Sequence, residues 1–283
     1  MSYITTVSGI HFYPLDPNPK DIDIEDIAHA LSLICRANGH FKYFYSVAQH
    51  CIACAVEAIE RGHSLEVILG CLLHDASEAY LCDVTRPVKK HIPQYLQAEE
   101  KLQEVIWKRF IGRELTDTEK NQIFEIDDDI LSMEFHLLMP EDLNEDYRKL
   151  KSACACDYQD PQEVKGRFIQ LARILKYEIT MRDAEQLFRT NKNAHRLQIL
   201  IGELEAYYTS GEWKRDFVDD EAGLLPKKLP RGVLSEDGIY NLLEEYREVS
   251  ESRFTSTAVS VRNRGRTDWR GLCCKSSAVI SRS

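Results

Sequence analysis

The sequence predicts an all-α protein, because helical periodicity dominates it and strand periodicity is scarce. Alternation of apolar and polar residues, which is typical of half-buried strands, never continues for more than a few residues. After Asp23, apolar residues instead recur at the spacing of one helix face. Six such segments predict helices near residues 24–36, 45–61, 65–81, 94–110, 117–138 and 161–182.

Residues that favour helix starts stand at the expected positions. Ser64 and Thr116 directly precede two of these segments, and their hydroxyls can accept hydrogen bonds from the free N–H groups of a first turn. Asp160 precedes a proline, whose fixed φ suits the first helical position. Residues 1–20 are rich in proline and turn residues, so a short extended arm is expected before the first helix.

The chain is expected to have three parts. Residues 1–184 form the main helical body, and residues 185–251 form a small helical domain. The helices of that small domain are expected near 193–209 and 236–249. Residues 252–283 contain seven basic residues against one acidic residue, many Ser, Thr and Gly residues, and no helical period. This composition predicts a disordered basic tail.

Composition argues against several classes of function. The 283 residues carry a net charge of −10, which disfavours broad binding of nucleic acid through a basic surface. Nine cysteines are an odd number, which suits reduced thiols better than a disulfide framework. We interpret the C-x-x-C pair Cys51 and Cys54 as packing residues, with a metal site as the alternative. Neither a signal peptide nor a stretch of roughly 18 apolar residues is present, so we expect a cytoplasmic protein without a membrane span.

The pair His74-Asp75 is the most informative feature for function. It lies in the apolar segment 65–81, where an imidazole and a carboxylate are costly to bury unless a partner compensates them. A bound cation is an efficient partner. On a continuous helix, Glu78 would project between His74 and Asp75. The segment would then present two candidate metal ligands with a third ionisable group between them.

The acidic run at residues 127–129 supplies a further candidate ligand. The apolar residues around it define one helix face, and Asp127 lies within that face. Asp128 and Asp129 lie toward its edges or toward solvent. Glu134 shares the face of Asp127 and could orient a metal ligand through a hydrogen bond without contacting the ion itself. The alternative for Asp127 is a buried acid paired with an arginine or a lysine.

His50 is the remaining candidate ligand, and periodicity gives it no support. It lies opposite the main apolar stripe of the segment 45–61, where a lone histidine is usually a surface residue. From the residues alone, a surface position and a place in the site both stay open.

Taken together, these residues resemble a known family. Their order is similar to the H…HD…D signature of the HD-domain phosphohydrolases, and the run HDASEAYLCDVTRPVK, which ends at Lys89, resembles the bacterial 5′-deoxynucleotidase branch. The resemblance covers roughly residues 20–180 and implies an all-α HD-domain helical bundle. Mixed nitrogen and oxygen donors suit Mn²⁺, Co²⁺, Fe²⁺ or Zn²⁺. The residues that the resemblance assigns to one divalent metal ion are His50, His74, Asp75 and Asp127.

The resemblance also assigns two catalytic acids. Glu78 and Asp83 match the acids that the family places beside its metal. We expect Asp83 to activate water or to protonate the leaving group, and Glu78 to order substrate and water. The two roles could be exchanged, and the alternative for either residue is a helix-end cap or an ion pair.

Three basic residues are candidate substrate contacts. Arg36 resembles the family's substrate-contacting arginine, and a guanidinium suits a phosphate through paired hydrogen bonds. The family often has an aromatic residue next in the chain, whereas Ala37 stands here, which puts recognition of the sugar or base in doubt. Arg86 and Lys89 follow Asp83 and are either phosphate contacts or solvated loop charges.

We therefore expect a metal-dependent phosphomonoesterase that removes the 5′-phosphate from a nucleoside or deoxynucleoside monophosphate. The alternatives are an HD phosphohydrolase acting on a cyclic or pyrophosphorylated nucleotide, and a non-catalytic nucleotide-binding scaffold. The expected partner is a small-molecule nucleotide rather than nucleic acid or a membrane. The family's small enzymes are often homodimers, which we expect here too. Residues 190–250 resemble a small bacterial domain family of unknown function and give no chemistry.

Overall fold

The computed structural model describes residues 3–140, 148–153, 156–190 and 193–264. These residues are mostly helical, which confirms the predicted fold class. The expected N-terminal arm is a hairpin of two short antiparallel strands, β1 (Ile4–Thr5) and β2 (His11–Phe12). The α-helices of the described residues are α1 (Ile24–Leu33), α2 (Val47–Arg61), α3 (Leu65–Leu72), α4 (Glu78–Leu81), α5 (Arg86–Lys89), α6 (Pro93–Ile111), α7 (Asp117–Leu138), α8 (Pro161–Thr190), α9 (Ala194–Tyr208), α10 (Gly211–Glu221) and α11 (Glu236–Arg264).

The predicted helix starts are confirmed at their caps. The hydroxyls of Ser64 and Thr116 each accept a hydrogen bond from the backbone N–H three residues further on, at 3.4 and 3.3 Å. The carboxylate of Asp160 accepts from the backbone N–H of Gln162 at 2.9 Å, and Pro161 occupies the first position of α8. Each cap provides an acceptor for an N–H group that has no partner inside its helix.

The segment 65–81, which the sequence predicts as one helix, is two helices with a turn between them. Helix α3 ends at Leu72, and residues 73–77 form a turn before α4. The His74 Nδ1 atom lies 2.7 Å from the carbonyl oxygen of Cys71, which the end of the helix leaves free for a side chain. His74 and Asp75 therefore leave the helix end at a turn, and the prediction that they project from one continuous helix with Glu78 is wrong.

Other helix boundaries also differ from the prediction. Helix α1 ends at Leu33 rather than near 36, and α8 continues to Thr190 rather than ending near 182. The sequence pattern does not predict α10, because Trp213, Phe217 and Val218 are its few large apolar residues and they are too sparse to give a clear period. Its start is capped by the Ser210 hydroxyl, which accepts from the Trp213 N–H at 3.1 Å.

The helices that carry the predicted site pack directly against one another. Helix α2 packs against α3 and α7, and α3 also packs against α7 and α8. The buried apolar residues of these helices form a continuous core that includes Ile52, Leu69, Ile126 and Leu175. The start of α2, the end of α3 and the middle of α7 are thereby held close to one another in the core.

A buried ion pair ties the C-terminal helices to α8. The carboxylate of Asp216 is fully buried and accepts hydrogen bonds from Arg173 at 2.7 and 2.8 Å and from the Tyr207 hydroxyl at 2.7 Å. This pairing compensates the cost of burying both charges. The domain boundary expected near residue 184 lies inside the continuous helix α8, and the division stays a prediction.

Helix α11 continues to Arg264, past the end expected near residue 249. The rest of the predicted tail, residues 265–283, lies outside the described residues. Within the part of the chain that the structure describes, no helix has both the length and the apolar character needed to cross a membrane.

Candidate metal centre

Three elements bring the four predicted metal ligands together. His50 lies in the first turn of α2, His74 and Asp75 lie in the turn after α3, and Asp127 lies midway along α7. His50 is fully buried, so the surface position left open by the sequence is wrong for this residue. His74 and Asp127 are buried as well. The mutual packing of α2, α3 and α7 accounts for the convergence.

The donor atoms lie close enough to share one ion. The Nε2 atom of His50 lies 3.1 Å from Nε2 of His74 and 3.0 Å from Oδ1 of Asp127. The Oδ2 atom of Asp75 lies 3.3 Å from Nε2 of His74 and 3.8 Å from Nε2 of His50. Neighbouring donors on one ion with bonds of about 2.0–2.1 Å stand about 2.9–3.4 Å apart. The buried cluster can therefore hold a metal ion.

The outer nitrogens of both imidazoles are already engaged. His74 Nδ1 lies 2.7 Å from the Cys71 carbonyl oxygen, which can only accept, so this nitrogen carries the proton. His50 Nδ1 lies 2.9 Å from Oε1 of the fully buried Glu134, and an ionised carboxylate also only accepts. In the neutral tautomers that these bonds select, both Nε2 atoms carry lone pairs. The lone pairs face each other at 3.1 Å beside two carboxylates, an arrangement that fits a cation between them.

The pKa shifts in the cluster point to the same need for positive charge. Burial lowers the pKa of His74, but the Asp75 carboxylate and Asp127 outweigh burial and raise this pKa well above its usual range. Burial raises the pKa of Asp127, but the imidazoles of His50 and His74, when protonated at Nε2, donate to this carboxylate and outweigh burial, which holds its pKa well below the ordinary value. The carboxylates are thus stabilised by positive charge at the imidazoles, which a proton or a metal ion can supply.

Arg36 lies beside the cluster, as the resemblance implies. Its Nη1 donates to Asp75 Oδ2 at 3.0 Å, and its Nε lies 3.6 Å from Glu134 Oε2. The side chain is only 11% exposed. The next two residues, Ala37 and Asn38, have φ values of 51° and 49°, which is a costly conformation for residues other than glycine. The strained turn begins directly after Arg36, where the chain reverses toward α2.

A pocket of about 280 Å³ opens over the carboxylate side of the cluster. Leu131 and Phe135 form an apolar wall on α7, and Ala37 lies on the rim. His50 and His74 are not among the described residues that line the pocket, so the imidazoles lie behind the two aspartates. The charged residues that line it are Arg36, Asp75, Glu78, Asp83, Arg86, Lys89 and Asp127.

The two predicted catalytic acids lie at different depths in this pocket. Glu78 is buried, and its Oε2 atom has no hydrogen-bond partner among the described residues. Burial, together with the carboxylates of Asp75 and Asp83, raises the pKa of Glu78 well above its ordinary value. Asp83 is half-buried, and burial also raises its pKa, against the attraction of Arg36. Two neighbouring carboxyl groups with raised pKa values are suited to holding and moving a proton.

The structure pairs the predicted substrate contacts Arg86 and Lys89 with protein acids. Arg86 is about half exposed and donates to Asp127 Oδ2 at 2.7 Å and to Asp128 Oδ1 at 2.6 Å. Lys89 donates to Glu99 Oε1 at 2.6 Å. Both residues line the pocket. A substrate phosphate would have to replace the protein carboxylates that Arg86 and Lys89 already bind, or bind the two side chains together with those carboxylates.

The acidic residues of α7 divide largely as the sequence predicts. Asp127 faces the cluster, and the side chain of Asp128 is 63% exposed. The sequence predicts Asp129 toward the edge of the apolar face or toward solvent; it is buried and bonded to Arg61 at 2.8 Å, so the solvent alternative is wrong. Glu134 lies behind His50, which confirms that it shares the face of Asp127.

The sequence interpretation missed the closeness of two thiols to the centre. Cys51 and Cys54 are fully buried, as expected of packing residues. However, Cys54 forms a group of possible ligands with His50, His74 and Asp127, and Cys51 forms another with His74 and Asp75. The available signal was the four-residue step from His50 to Cys54, which places both side chains on one face of α2.

Comparison with known proteins gives relatives without an assigned activity. Residues 174–255 match a family described as a domain of unknown function (DUF4298). Over 110 residues the chain is 44% identical to "Uncharacterized protein YfdR" of Escherichia coli, a match that covers 39% of this chain and 59% of the relative. It is 40% identical over 110 residues to "Uncharacterized protein RCAP_rcc00048" of Rhodobacter capsulatus, covering 37% and 56%. The chain thus spans less than two thirds of either curated relative.

Proposed function

We propose that this protein is a metal-dependent phosphomonoesterase of the HD type, which hydrolyses the 5′-phosphate of a nucleoside or deoxynucleoside monophosphate. One observation carries the proposal: the Nε2 atoms of His50 and His74 lie 3.1 Å apart in the core, beside the carboxylates of Asp75 and Asp127. A divalent cation stabilises such an arrangement. The H…HD…D order of the same residues along the chain supports the family assignment.

The metal ion would be held by two nitrogen and two oxygen donors. Such a set suits Mn²⁺, Co²⁺, Fe²⁺ or Zn²⁺. When bound, the ion supplies Lewis acidity, which polarises a phosphoryl oxygen and acidifies water. The residues that would hold it are His50, His74 and Asp127, which form one group of possible ligands, and Asp75, whose Oδ2 atom lies 3.3 Å from His74 Nε2 and 3.8 Å from His50 Nε2.

The pocket supports a small phosphorylated substrate. Its volume of about 280 Å³ lies near the lower end of the range of about 300–1,000 Å³ that small-ligand sites occupy. Arg36 lines it with a guanidinium that Asp75 and Glu134 hold in place, and such a group binds phosphate oxygens through paired hydrogen bonds. The apolar side chains of Leu131 and Phe135 provide a surface for the less polar part of a nucleoside.

Glu78 and Asp83 are the residues of the chain that we assign to proton transfer. In the reaction, a water oxygen forms a bond to phosphorus, the bond from phosphorus to the 5′-oxygen breaks, and that oxygen takes up a proton. Asp83, at the half-buried rim, accepts the proton from water or donates one to the leaving oxygen. Glu78, whose buried Oε2 atom has no hydrogen-bond partner within the described part of the chain, orders the water and the substrate. The two acids can exchange these roles because both line the same pocket.

The test is phosphate release by the purified full-length protein from a panel of ribonucleoside and deoxyribonucleoside 5′-monophosphates, with Mn²⁺ or Co²⁺ added. We expect turnover of at least one member, and loss of both turnover and metal binding in Asp75→Asn. Asp237→Asn is the matched control, because Asp237 is exposed on α11 and makes the same change of charge.

Each outcome of this experiment is informative. Metal binding without turnover of any nucleotide, cyclic and pyrophosphorylated ones included, would overturn the enzymatic proposal and favour the scaffold. Failure of the wild-type protein to bind any of the four metals would overturn the metal centre itself.

A further inference from the structure

We propose that Cys54 is an additional ligand of the metal centre, and that its sulfur makes the centre selective for thiophilic ions. The inference rests on the metal centre of the proposed function and goes beyond the four ligands that the family resemblance implies. It concerns which ion the site takes, whereas the proposed function concerns what the occupied site does.

The position of the Cys54 sulfur supports this inference. Cys54 lies one helical turn after His50 on α2, and its Sγ lies 3.6 Å from His50 Nε2. Sulfur and nitrogen bound to one five- or six-coordinate ion at about 2.3 and 2.1 Å stand about 3.1–3.8 Å apart for bond angles of about 90–120°, a range that includes the observed distance. The same sulfur lies within 4.8 Å of the donor atoms of His74 and Asp127.

Cys54 approaches the cluster from the side away from the pocket. The two aspartates line the opening, whereas Cys54 and both histidines are not among the described residues that do so. Cys54 is also fully buried, so water does not compete for its sulfur. A thiolate ligand there leaves the open side of the centre to substrate and water.

Cys54 is a better candidate than the other cysteine of the C-x-x-C pair. An ion held by both imidazoles has Cys54 within reach, because Cys54 groups with His50, His74 and Asp127. Cys51 groups with His74 and Asp75 and not with His50. Because only the group of Cys54 contains both imidazoles, we assign Cys54 and not Cys51 to the ion.

The chemistry of binding is simple. As the bond from Sγ to the ion forms, the thiol proton leaves to solvent, and no oxidation state changes. A thiolate is a soft ligand that favours Zn²⁺, Co²⁺ and Fe²⁺ over Mn²⁺ and Mg²⁺, which prefer oxygen donors. Replacement of the sulfur by a hydroxyl should weaken Zn²⁺ binding about tenfold or more while Mn²⁺ binding changes less than about twofold.

The experiment uses the absorption spectrum of the full-length protein loaded with Co²⁺. A sulfur ligand gives a thiolate-to-cobalt charge-transfer band in the near ultraviolet, and the visible ligand-field bands report bound Co²⁺ whatever the ligands. We expect both in the wild-type protein, and loss of only the near-ultraviolet band in Cys54→Ser. The matched controls are Cys51→Ser and Cys71→Ser; both residues are fully buried, and the contact of Cys71 to His74 uses only its backbone carbonyl.

The possible results separate this inference from the proposed function. Three results would overturn the assignment of Cys54 and leave the metal centre standing. The wild-type protein could show visible bands without a charge-transfer band, the charge-transfer band could survive in Cys54→Ser, or it could disappear in Cys51→Ser. Absence of all cobalt bands in the wild-type protein would overturn both. Should Cys54→Ser not fold, as judged by circular dichroism, the same comparison is made with Cys54→Ala.

Discussion

The buried carboxylate of Glu134 offers a sensitive test of the site, because it touches no substrate and holds one imidazole. Its Oε1 accepts from His50 Nδ1 at 2.9 Å, and this bond leaves the Nε2 lone pair of His50 directed at the cluster. In Glu134→Gln the volume is kept, but the negative charge that fixes the tautomer and makes the imidazole more basic is lost. Loss of such an outer partner costs about 10–100-fold in metal affinity, which corresponds to about 1.4–2.7 kcal/mol at 1.36 kcal/mol per factor of ten.

The assay is competition for Zn²⁺ or Co²⁺ against a chromogenic chelator of known affinity. Glu125→Gln is the matched control, since it makes the same change on the same helix at an exposed residue whose partner is Arg148. We expect the control to bind metal as the wild-type protein does. The reasoning about the outer hydrogen bond would be refuted if the metal affinity of Glu134→Gln were within twofold of the wild-type affinity. It would also be refuted if Glu125→Gln lost as much metal affinity as Glu134→Gln.

Three further predictions concern stability. Metal at about 100 times its dissociation constant should raise the free energy of unfolding by about 2.7 kcal/mol; calorimetry should detect this in the wild-type protein and not in Asp127→Asn. Burial raises the pKa of Glu66, but the hydrogen bonds from Arg182 outweigh burial, and the pKa is lowered overall. These hydrogen bonds therefore stabilise the folded protein above about pH 4.3, and their contribution is lost as the pH falls and Glu66 takes up a proton. Urea unfolding should therefore show Glu66→Gln to be less stable by about 1–2 kcal/mol at pH 7 and close to wild type near pH 3. Asp216→Asn should cost about 3 kcal/mol in the same assay, because it leaves the guanidinium of Arg173 without its buried partner.

Much of the fold follows from local signals. Helix α7 begins and ends where its periodicity predicts, because a cap at Thr116 and a long apolar stripe act together. The turn at residues 73–77 could not be predicted in this way, since the segment contains no glycine or proline after Gly70 and its polar residues His74, Asp75 and Glu78 also fit a continuous helix. In the turn, His74 Nδ1 bonds the carbonyl oxygen of Cys71, which the end of the helix leaves without a backbone partner, and periodicity does not report such a contact.

The site was predictable in part for similar reasons. Asp127 could be chosen over Asp128 because helical phase separates neighbouring acids. His50 could not be placed by phase, because it lies off the apolar stripe of its own helix and is buried by its neighbours. Asp129 shows the limit of the same argument: a residue at the edge of a helix face can be buried when a partner such as Arg61 reaches it from another helix. The sequence around Cys54 predicts a packing residue, because a buried thiol gives the same sequence pattern whether it packs in the core or binds a metal ion.

The charge of the buried site supports the proposal that it holds a divalent ion. With both imidazoles neutral, the carboxylates of Asp75, Asp127 and Glu134 and the guanidinium of Arg36 sum to −2. Arg86 does not change this sum, because it is shared between Asp127 and the exposed Asp128, whose charges it offsets together. A single proton on one imidazole leaves an excess negative charge in a place where unpaired charge costs several kcal/mol. A divalent cation brings the sum of these four groups to zero, and to −1 when the Cys54 thiolate proposed above is added. In their neutral tautomers both imidazoles direct their Nε2 lone pairs at the space that this cation would occupy, so electrostatics and hydrogen-bond geometry favour the same occupant.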